Sequence, residues 1–183
     1  KKFAEQGAKT VLLDIDPAVR ESAKALADAG YPVWGHMIDI TKRDEVLCLF
    51  EQIAADYGNI YCLCNVAGIV DQRPFLEYTE EGFDRVFRVN VNGTAWCCQG
   101  ALPSMIAGKQ GGRIINFSSK SGKTGFALMA PYSSAKGAVI ALTQALAFEY
   151  AKEKINVNCI CPGSTDATGV WANVSDGYIH NLN

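Results

Sequence analysis

Residues 111–151 read GGRIINFSSKSGKTGFALMAPYSSAKGAVIALTQALAFEYA, and this stretch decides the fold of the chain. Its first part, Arg113 to Phe117, is a short apolar run typical of a buried strand. A Ser- and Gly-rich loop follows, and then a helix that carries Tyr132 and Lys136. Residues four apart lie on one face of a helix, so the phenol and the ammonium can meet. A fixed ammonium would favour the phenolate and thereby lower the pKa of the tyrosine.

Short apolar runs alternate with amphipathic helical patterns on both sides of this stretch. The patterns predict further strands at residues 7–14, 33–38, 60–65 and 155–161, and helices at residues 17–29, 44–57 and 79–109. The last of these helices is interrupted by Val89 to Gly93, which predicts two helices or one kinked helix. Such alternation predicts right-handed βαβ units and a parallel sheet covered on both faces. We therefore predict a doubly wound α/β fold, a single Rossmann-type domain spanning residues 1–183.

Composition limits the classes of function. The chain has 183 residues, 49% of them hydrophobic, and a net charge of −2, which suits one domain with a substantial core. Lysine and arginine are neither in excess nor clustered, so a nucleic-acid-binding module is disfavoured, as is a membrane-bound protein. No signal-peptide pattern or long apolar run is seen, and we expect a cytoplasmic protein. The seven cysteines lack metal-ligand spacing and are expected to be reduced, buried thiols, with no metal site.

Polar or small residues follow each predicted strand, where open α/β sheets bind their ligands. They are Asp14, Asp39, the Asn65–Gly68 turn, Ser118 and Ser119, and Pro162 and Gly163. Asp14 can accept hydrogen bonds from both ribose hydroxyls of an adenosine and would repel a 2′-phosphate, which favours NAD over NADP. The alternative is that Asp14 and Asp16 cap the helix that begins at Pro17.

Ser119 and the run Tyr132-Ser133-Ser134-Ala135-Lys136 resemble the Ser…Tyr-x-x-x-Lys signature of the short-chain dehydrogenase/reductase family. Ser118 would lie one residue too early for this spacing. The resemblance implies transfer of a hydride between NAD(H) and an alcohol or carbonyl substrate. Tyr132 would then be the acid–base group, Ser119 would position the substrate oxygen, and Lys136 would hold the nicotinamide ribose.

A fourth catalytic residue is implied by the same resemblance. Asn90-Val91-Asn92-Gly93 is similar to the family's Asn-x-x-Gly, in which the first Asn lies at a helix kink and helps to hold a water that links the lysine to solvent. This assigns Asn90 as the catalytic asparagine. Asn92 is the competing candidate when composition alone is considered.

The remaining strand ends resemble the family's cofactor site. Asp39 would contact the adenine, together with the backbone of Ile40, although a helix N-cap is the alternative for Asp39. The turn Asn65-Val66-Ala67-Gly68 is similar to the family's Asn-Asn-Ala-Gly, with Val66 replacing the second Asn. Asn65, Ala67 and Gly68 would therefore bind the cofactor. Pro162 and Gly163 would cover the nicotinamide, with the backbone of Thr165 meeting its carboxamide; the family's later Thr is here Ala167.

Two parts of the family pattern are missing from the sequence. The Thr-Gly-x-x-x-Gly-x-Gly loop with its strand would precede Lys1, and a final helix and strand would follow Asn183. The Gly-rich loop would bind the pyrophosphate, so its loss would weaken cofactor binding. Because a parallel sheet stripped of its central first strand would expose apolar flanks, we expect the sequence to be an excerpt of a longer protein. The alternative is a non-catalytic dinucleotide-binding or scaffold protein of the same fold.

Two further expectations concern partners. The helices at residues 90–106 and 133–147 carry small residues that can pack against a second copy, and the resemblance implies a homodimer or homotetramer through these helices. The small residues are Ala95, Ala101, Ala138, Ala141 and Ala145. The substrate pocket of an alcohol or ketone is expected to be lined by Ser121, Phe126, Leu128 and the loop beyond Ser164.

Overall fold

Five strands form the sheet framework in a computed structural model that describes residues 1–163. Thr165 and the loop beyond Ser164 lie outside the described residues. The strands are β1 (Thr10–Asp14), β2 (Val33–Met37), β3 (Cys62–Asn65), β4 (Gly112–Phe117) and β5 (Ile155–Ile160). They pair only in parallel, in a two-stranded segment β1-β2 and a three-stranded segment β3-β4-β5. The predicted parallel α/β architecture is confirmed.

Helices connect the strands as the alternating pattern predicted. They are α1 (Lys2–Glu5), α2 (Ala18–Asp28), α3 (Arg43–Tyr57), α4 (Glu80–Phe87), α5 (Thr94–Gly108), α6 (Ser121–Thr124) and α7 (Ala130–Glu149). A 3₁₀ turn at Phe75–Glu77 precedes α4. The predicted interruption of the long helix is a π-helical segment, Arg88–Gly93, between α4 and α5. The short α6 lies in what the sequence predicted as loop, because four residues are too few to show a helical period.

Both faces of the sheet are covered at β1, as in a doubly wound fold. Leu13 of β1 packs in the larger core with residues of α3, α5 and the segment β3-β4-β5. The neighbouring Leu12 packs in a smaller core with Ala4 of α1 and Ala23 of α2. Successive side chains of a strand point to opposite faces, so the two leucines mark the two layers.

Strand β3 is shorter than predicted, because the residues at its start have other partners. The backbone N–H of Ile60 donates to the Ser104 hydroxyl of α5 at 2.9 Å and takes no part in the sheet. The sheet therefore begins at Cys62, opposite Arg113 of β4. Within residues 1–163 no helix is both long and apolar enough to cross a membrane.

The cysteines depart in part from the expectation. All seven are free thiols, as predicted, but only Cys97 and Cys98 are buried, whereas Cys48, Cys62 and Cys64 are exposed. Cys62 and Cys64 share the face of β3 opposite to the buried Asn65, since residues two apart point the same way. The prediction that these thiols are buried is therefore wrong. No group of three or more His, Cys, Asp or Glu side chains in residues 1–163 is arranged to hold a metal ion.

Candidate active site

Tyr132 and Lys136 lie one turn apart near the start of α7, as their spacing predicts. The Lys136 Nζ is 5.7 Å from the centroid of the Tyr132 ring. Lys136 is only 4% exposed, and its ammonium donates a hydrogen bond of 2.8 Å to the carbonyl oxygen of Phe117, the last residue of β4. This hydrogen bond joins α7 to the carboxyl end of β4, the central strand of β3-β4-β5.

Burial governs the protonation of both side chains. It lowers the pKa of Lys136 to about 8, because the ammonium loses its hydration inside the protein. It also raises the pKa of Tyr132, an effect that a hydrogen bond from the Ser119 hydroxyl opposes. The prediction that the ammonium lowers the pKa of Tyr132 is therefore wrong in this structure. Lys136 directs its Nζ at the Phe117 carbonyl, and the loss of phenolate hydration is the largest effect on the pKa of Tyr132.

The two serines after β4 point in different directions. The Ser118 hydroxyl is buried and donates to the carbonyl oxygen of Lys136 at 2.7 Å, which fixes the strand end to α7. The Ser119 oxygen accepts a hydrogen bond from the backbone N–H of Ser121 at 3.1 Å and lies beside Tyr132. Ser119 therefore has the position needed to hold a substrate oxygen near the phenol, whereas Ser118 has a structural partner.

Asn90 is fully buried in the π-helical segment. Its Nδ2 donates to the carbonyl oxygens of Ile69 at 2.8 Å and Val86 at 3.0 Å, and its Oδ1 accepts from the N–H of Ile69 at 3.2 Å. Both amide hydrogens are thus engaged with backbone groups. Asn90 clamps the chain just after the Asn65–Gly68 turn, while Asn92, the competing candidate, is exposed.

Gly68 is the point at which these groups converge. A Cβ at this position would lie 2.6 Å from the Asn90 Oδ1 and 3.2 Å from the Lys136 Nζ. No side chain fits there without displacing one of them. Gly122 has a similar role on the other side of the site, since its Cβ would lie 2.6 Å from the backbone carbon of Lys136. The sequence pattern gave no signal for this contact between α6 and α7.

Asn65 was predicted to bind the cofactor, but its side chain faces the core. Its Nδ2 donates to Asn116 Oδ1 at 2.9 Å and to the Cys98 sulfur at 3.3 Å. Asn116 in turn donates to the Thr143 hydroxyl at 2.9 Å. The backbone of Asn65 and its Oδ1, which forms no hydrogen bond with the described residues, are left for a ligand at the strand end. The neighbouring Ala67 is exposed there.

The two acidic residues lie at the ends of the adjacent strands β1 and β2. The exposed Asp14 accepts from the N–H of Asp16 at 3.0 Å through Oδ1, and Asp16 accepts from the N–H of Ala18 at 2.9 Å. Asp16 is thus the residue that caps α2. Asp39 accepts from both the N–H and the hydroxyl of Thr41, at 2.9 and 2.8 Å, in a local turn, and it lies three residues before the N-cap of α3, Lys42.

The remaining predicted residues border the site. A Cβ at Gly93 would lie 2.6 Å from the Ile40 side chain, so Ile40 packs against the π-helical segment. The Pro162 carbonyl accepts from the N–H of Lys120 at 2.8 Å, which places the turn of Pro162 and Gly163 beside the Ser119 loop. Ser119, Tyr132, Lys136, Asn90, Gly68 and Pro162 thus surround one end of the segment β3-β4-β5, and Asp14 and Asp39 lie at the end of β1-β2.

A family profile, curated relatives and solved structures were compared with this chain, and all three match it. The profile of the family described as short chain dehydrogenase matches residues 1–178. Sorbitol dehydrogenase from Cereibacter sphaeroides is 35% identical over 178 residues, which cover 95% of this chain and 68% of the relative.

Two solved structures are similar in fold. NAD⁺-bound xylitol dehydrogenase has a TM-score of 0.88 and 31% identity over 93% of this chain and 66% of its own. A gluconate 5-dehydrogenase from Burkholderia cenocepacia, in complex with NADP and tartrate, has a TM-score of 0.88 and 28% identity over 94% of this chain and 68% of its own. The chain spans about two thirds of the length of these relatives.

Proposed function

The chain belongs to the short-chain dehydrogenase family of NAD(P)-dependent oxidoreductases, and we propose that it interconverts an alcohol and a carbonyl compound with Tyr132 as the acid–base group. The observation that carries this proposal is the meeting of Tyr132, Ser119 and Lys136 at the end of β4. The bound dinucleotide supplies the hydride acceptor or donor.

Tyr132 transfers the proton that accompanies the hydride. Because burial raises its pKa, the phenol is protonated near neutral pH and can donate to a carbonyl oxygen in the reductive direction. Oxidation of an alcohol needs the phenolate, so this direction is favoured at alkaline pH. Ser119 holds the substrate oxygen, and Lys136, with a pKa near 8, can exchange a proton near neutral pH.

Asn90 acts as a positioning residue in this proposal. Its amide hydrogens are engaged by Ile69 and Val86, so its side chain has no free donor with which to relay a proton. The clamp on Ile69 instead keeps Gly68 against Lys136.

The strand ends fit a dinucleotide. Gly68 leaves the backbone open to close approach, and the exposed Asp14 has one carboxylate oxygen, Oδ2, with no hydrogen bond among the described residues. We propose that Asp14 binds the adenosine ribose and that NAD is preferred over NADP. Asp14→Ala in the full-length protein should lower the ratio of kcat/KM for NAD over NADP at least tenfold. An unchanged ratio would show that Asp14 does not select the cofactor.

Tyr132→Phe tests the proposed function directly. The variant should lose about 10³-fold or more of its activity, since the phenol is the proton donor, while its affinity for NADH stays within about threefold of the parent. Activity is followed by NADH absorbance over a panel of alcohols and ketones, and binding by NADH fluorescence.

Tyr150→Phe is the matched control, because Tyr150 lies at the other end of α7. It should leave turnover unchanged. Turnover by Tyr132→Phe at the parental rate would refute the assignment of Tyr132.

We also propose that the protein is a homo-oligomer that uses the outer face of α7. Ala141, Ala145 and Phe148 are exposed on this helix, and Phe148 is 86% exposed. Ala101, predicted for the same interface, is instead buried in the chain's own core. Sedimentation should give a dimer or tetramer that Phe148→Glu dissociates, and a monomer at micromolar concentration would contradict the proposal.

A further inference from the structure

Gln72 carries a buried amide that has no partner. Neither its Nε2 nor its Oε1 forms a hydrogen bond among residues 1–163, although both atoms are out of contact with solvent. Native proteins leave few buried side-chain amides unpaired, and each such amide requires an explanation. The mechanism proposed above gives Gln72 no role.

Gln72 is one of the residues that line a polar cavity of about 230 Å³. The cavity lies between residues 69–73 and α4, whose Gly82 and Arg85 line it together with Gln72. The outer torsion of a glutamine side chain has a broad energy minimum, so the amide can turn toward this space. The volume is sufficient for a small polar group but not for a second dinucleotide.

The cavity shares a wall with the candidate active site. Ile69, which lines it, exchanges hydrogen bonds with Asn90 in both directions. The next part of the wall is tied to the loop before Tyr132, because the N–H of Arg73 and the hydroxyl of Tyr78 both donate to the carbonyl of Leu128, at 3.0 Å each. The wall that Gln72 lines is therefore hydrogen-bonded directly to Asn90 and to the loop that precedes Tyr132.

The charges around the cavity indicate what it can bind. Arg73 is neutralised by Asp71, to which its Nε and Nη2 donate at 3.0 and 2.9 Å. Arg85 forms no salt bridge with the described residues and adds a single positive charge. The Gln72 amide offers one acceptor and two donor hydrogens, and a hydroxyl group, which both donates and accepts, complements it.

We infer that the Gln72 amide binds a hydroxyl group remote from the reacting carbon, so that the substrate is a polyhydroxylated compound. This inference rests on the proposed function, since it concerns the same site. A site that hydrogen-bonds a substrate hydroxyl discriminates against analogues lacking it, because its polar groups are then left unpaired.

The test compares two six-carbon alcohols, D-sorbitol and 2-hexanol, as substrates of the full-length protein. Gln72→Met keeps the length of the side chain and removes the amide. It should lower the ratio of kcat/KM for sorbitol over 2-hexanol about tenfold or more, as expected for the loss of one hydrogen bond to a substrate. Gln72→Glu, of nearly the same shape, provides a second variant should the methionine prevent folding. The control is Gln52→Met on the exposed side of α3, which should leave the ratio unchanged.

The outcomes separate this inference from the proposed function. A ratio that changes less than twofold in both Gln72 variants would overturn the inference. Oxidation of 2-hexanol but not of sorbitol by the parent would also overturn it and leave the dehydrogenase proposal intact. If the parent oxidises no alcohol in the panel, both proposals fail.

Discussion

Lys136 is buried at a cost to the stability of the folded protein, although the proposed reaction needs it. Its ammonium is almost fully buried and has no carboxylate partner among residues 1–163; it donates its hydrogen bond to the Phe117 carbonyl. Burial therefore lowers its pKa to about 8 from the model-compound value of 10.5. A charged lysine in this position destabilises the folded state, while the proposed chemistry requires the lysine to be present.

This conflict predicts how stability depends on pH. Between about pH 8 and 10.5 the unfolded state binds more protons at Lys136 than the folded state does, so stability rises with pH in this window. Lys136→Met removes the effect. Relative to this variant, the parent should gain roughly 2 kcal/mol of unfolding free energy between about pH 7 and pH 9.5, measured by urea denaturation.

Lys123→Met supplies the control for that comparison. Lys123 is an exposed residue of α6, and its replacement should not alter the pH dependence. Parallel stability curves for the parent and Lys136→Met across this pH range would contradict the assignment of a lowered pKa to Lys136.

Among the elements, the π-helical segment Arg88–Gly93 has the most direct link to the site. A π turn carries one more residue than an α turn and so displaces its backbone groups from the regular ladder. In this segment the Asn90 amide donates to the Val86 carbonyl within the helix. It also exchanges hydrogen bonds with the backbone of Ile69 outside the helix. The segment thereby fixes the turn that ends in Gly68.

Asn90→Ala should destabilise the protein by about 2–4 kcal/mol, because three buried backbone groups lose their partner. It should also reduce kcat, since the Gly68 turn would no longer be held against Lys136. Both quantities are measured on the same preparation, by chemical denaturation and by NADH absorbance.

Asn92→Ala is the matched control, from an exposed position in the same π-helical segment. It should change neither stability nor kcat appreciably. Equal effects of the two substitutions would mean that the segment, rather than the Asn90 amide, supports the turn.

At the scale of the whole molecule, a chain of buried polar side chains links the sheet to α7. Asn65 of β3 donates to Asn116 of β4, which donates to Thr143, whose hydroxyl donates to the Val139 carbonyl at 2.7 Å. Asn65, Asn116 and Thr143 are all buried. Because every member is paired, the network fixes the position of the helix that carries Tyr132 and Lys136.

Asn116→Ala should therefore lower the unfolding free energy by roughly 3 kcal/mol, since it leaves a donor of Asn65 and an acceptor of Thr143 unpaired. Asn65→Ala combined with Asn116→Ala should be less destabilising than the sum of the two single changes. The exposed Asn158 of β5 provides the control, as Asn158→Ala should have little effect. Additive losses in the double variant would show that the two asparagines are not coupled.

The sequence alone determined the architecture and the placement of the proposed acid–base pair on one helix. Short apolar runs and helical patterns are local properties, so they predicted the parallel strands, the intervening helices and the break at Asn90. The four-residue spacing likewise placed Tyr132 and Lys136 on one face of α7, because helix geometry relates near neighbours in the chain.

Tertiary structure alone decided the properties that depend on residues distant in sequence. Burial by the surrounding elements raised the pKa of Tyr132 against the expectation from its neighbour Lys136. Packing turned the Asn65 side chain into the core, where it meets Asn116, 51 positions away. It also left the Gln72 amide without a hydrogen-bond partner among residues 1–163. Desolvation and hydrogen bonding act across space, and the spacing of residues along a chain does not specify which distant groups will enclose them.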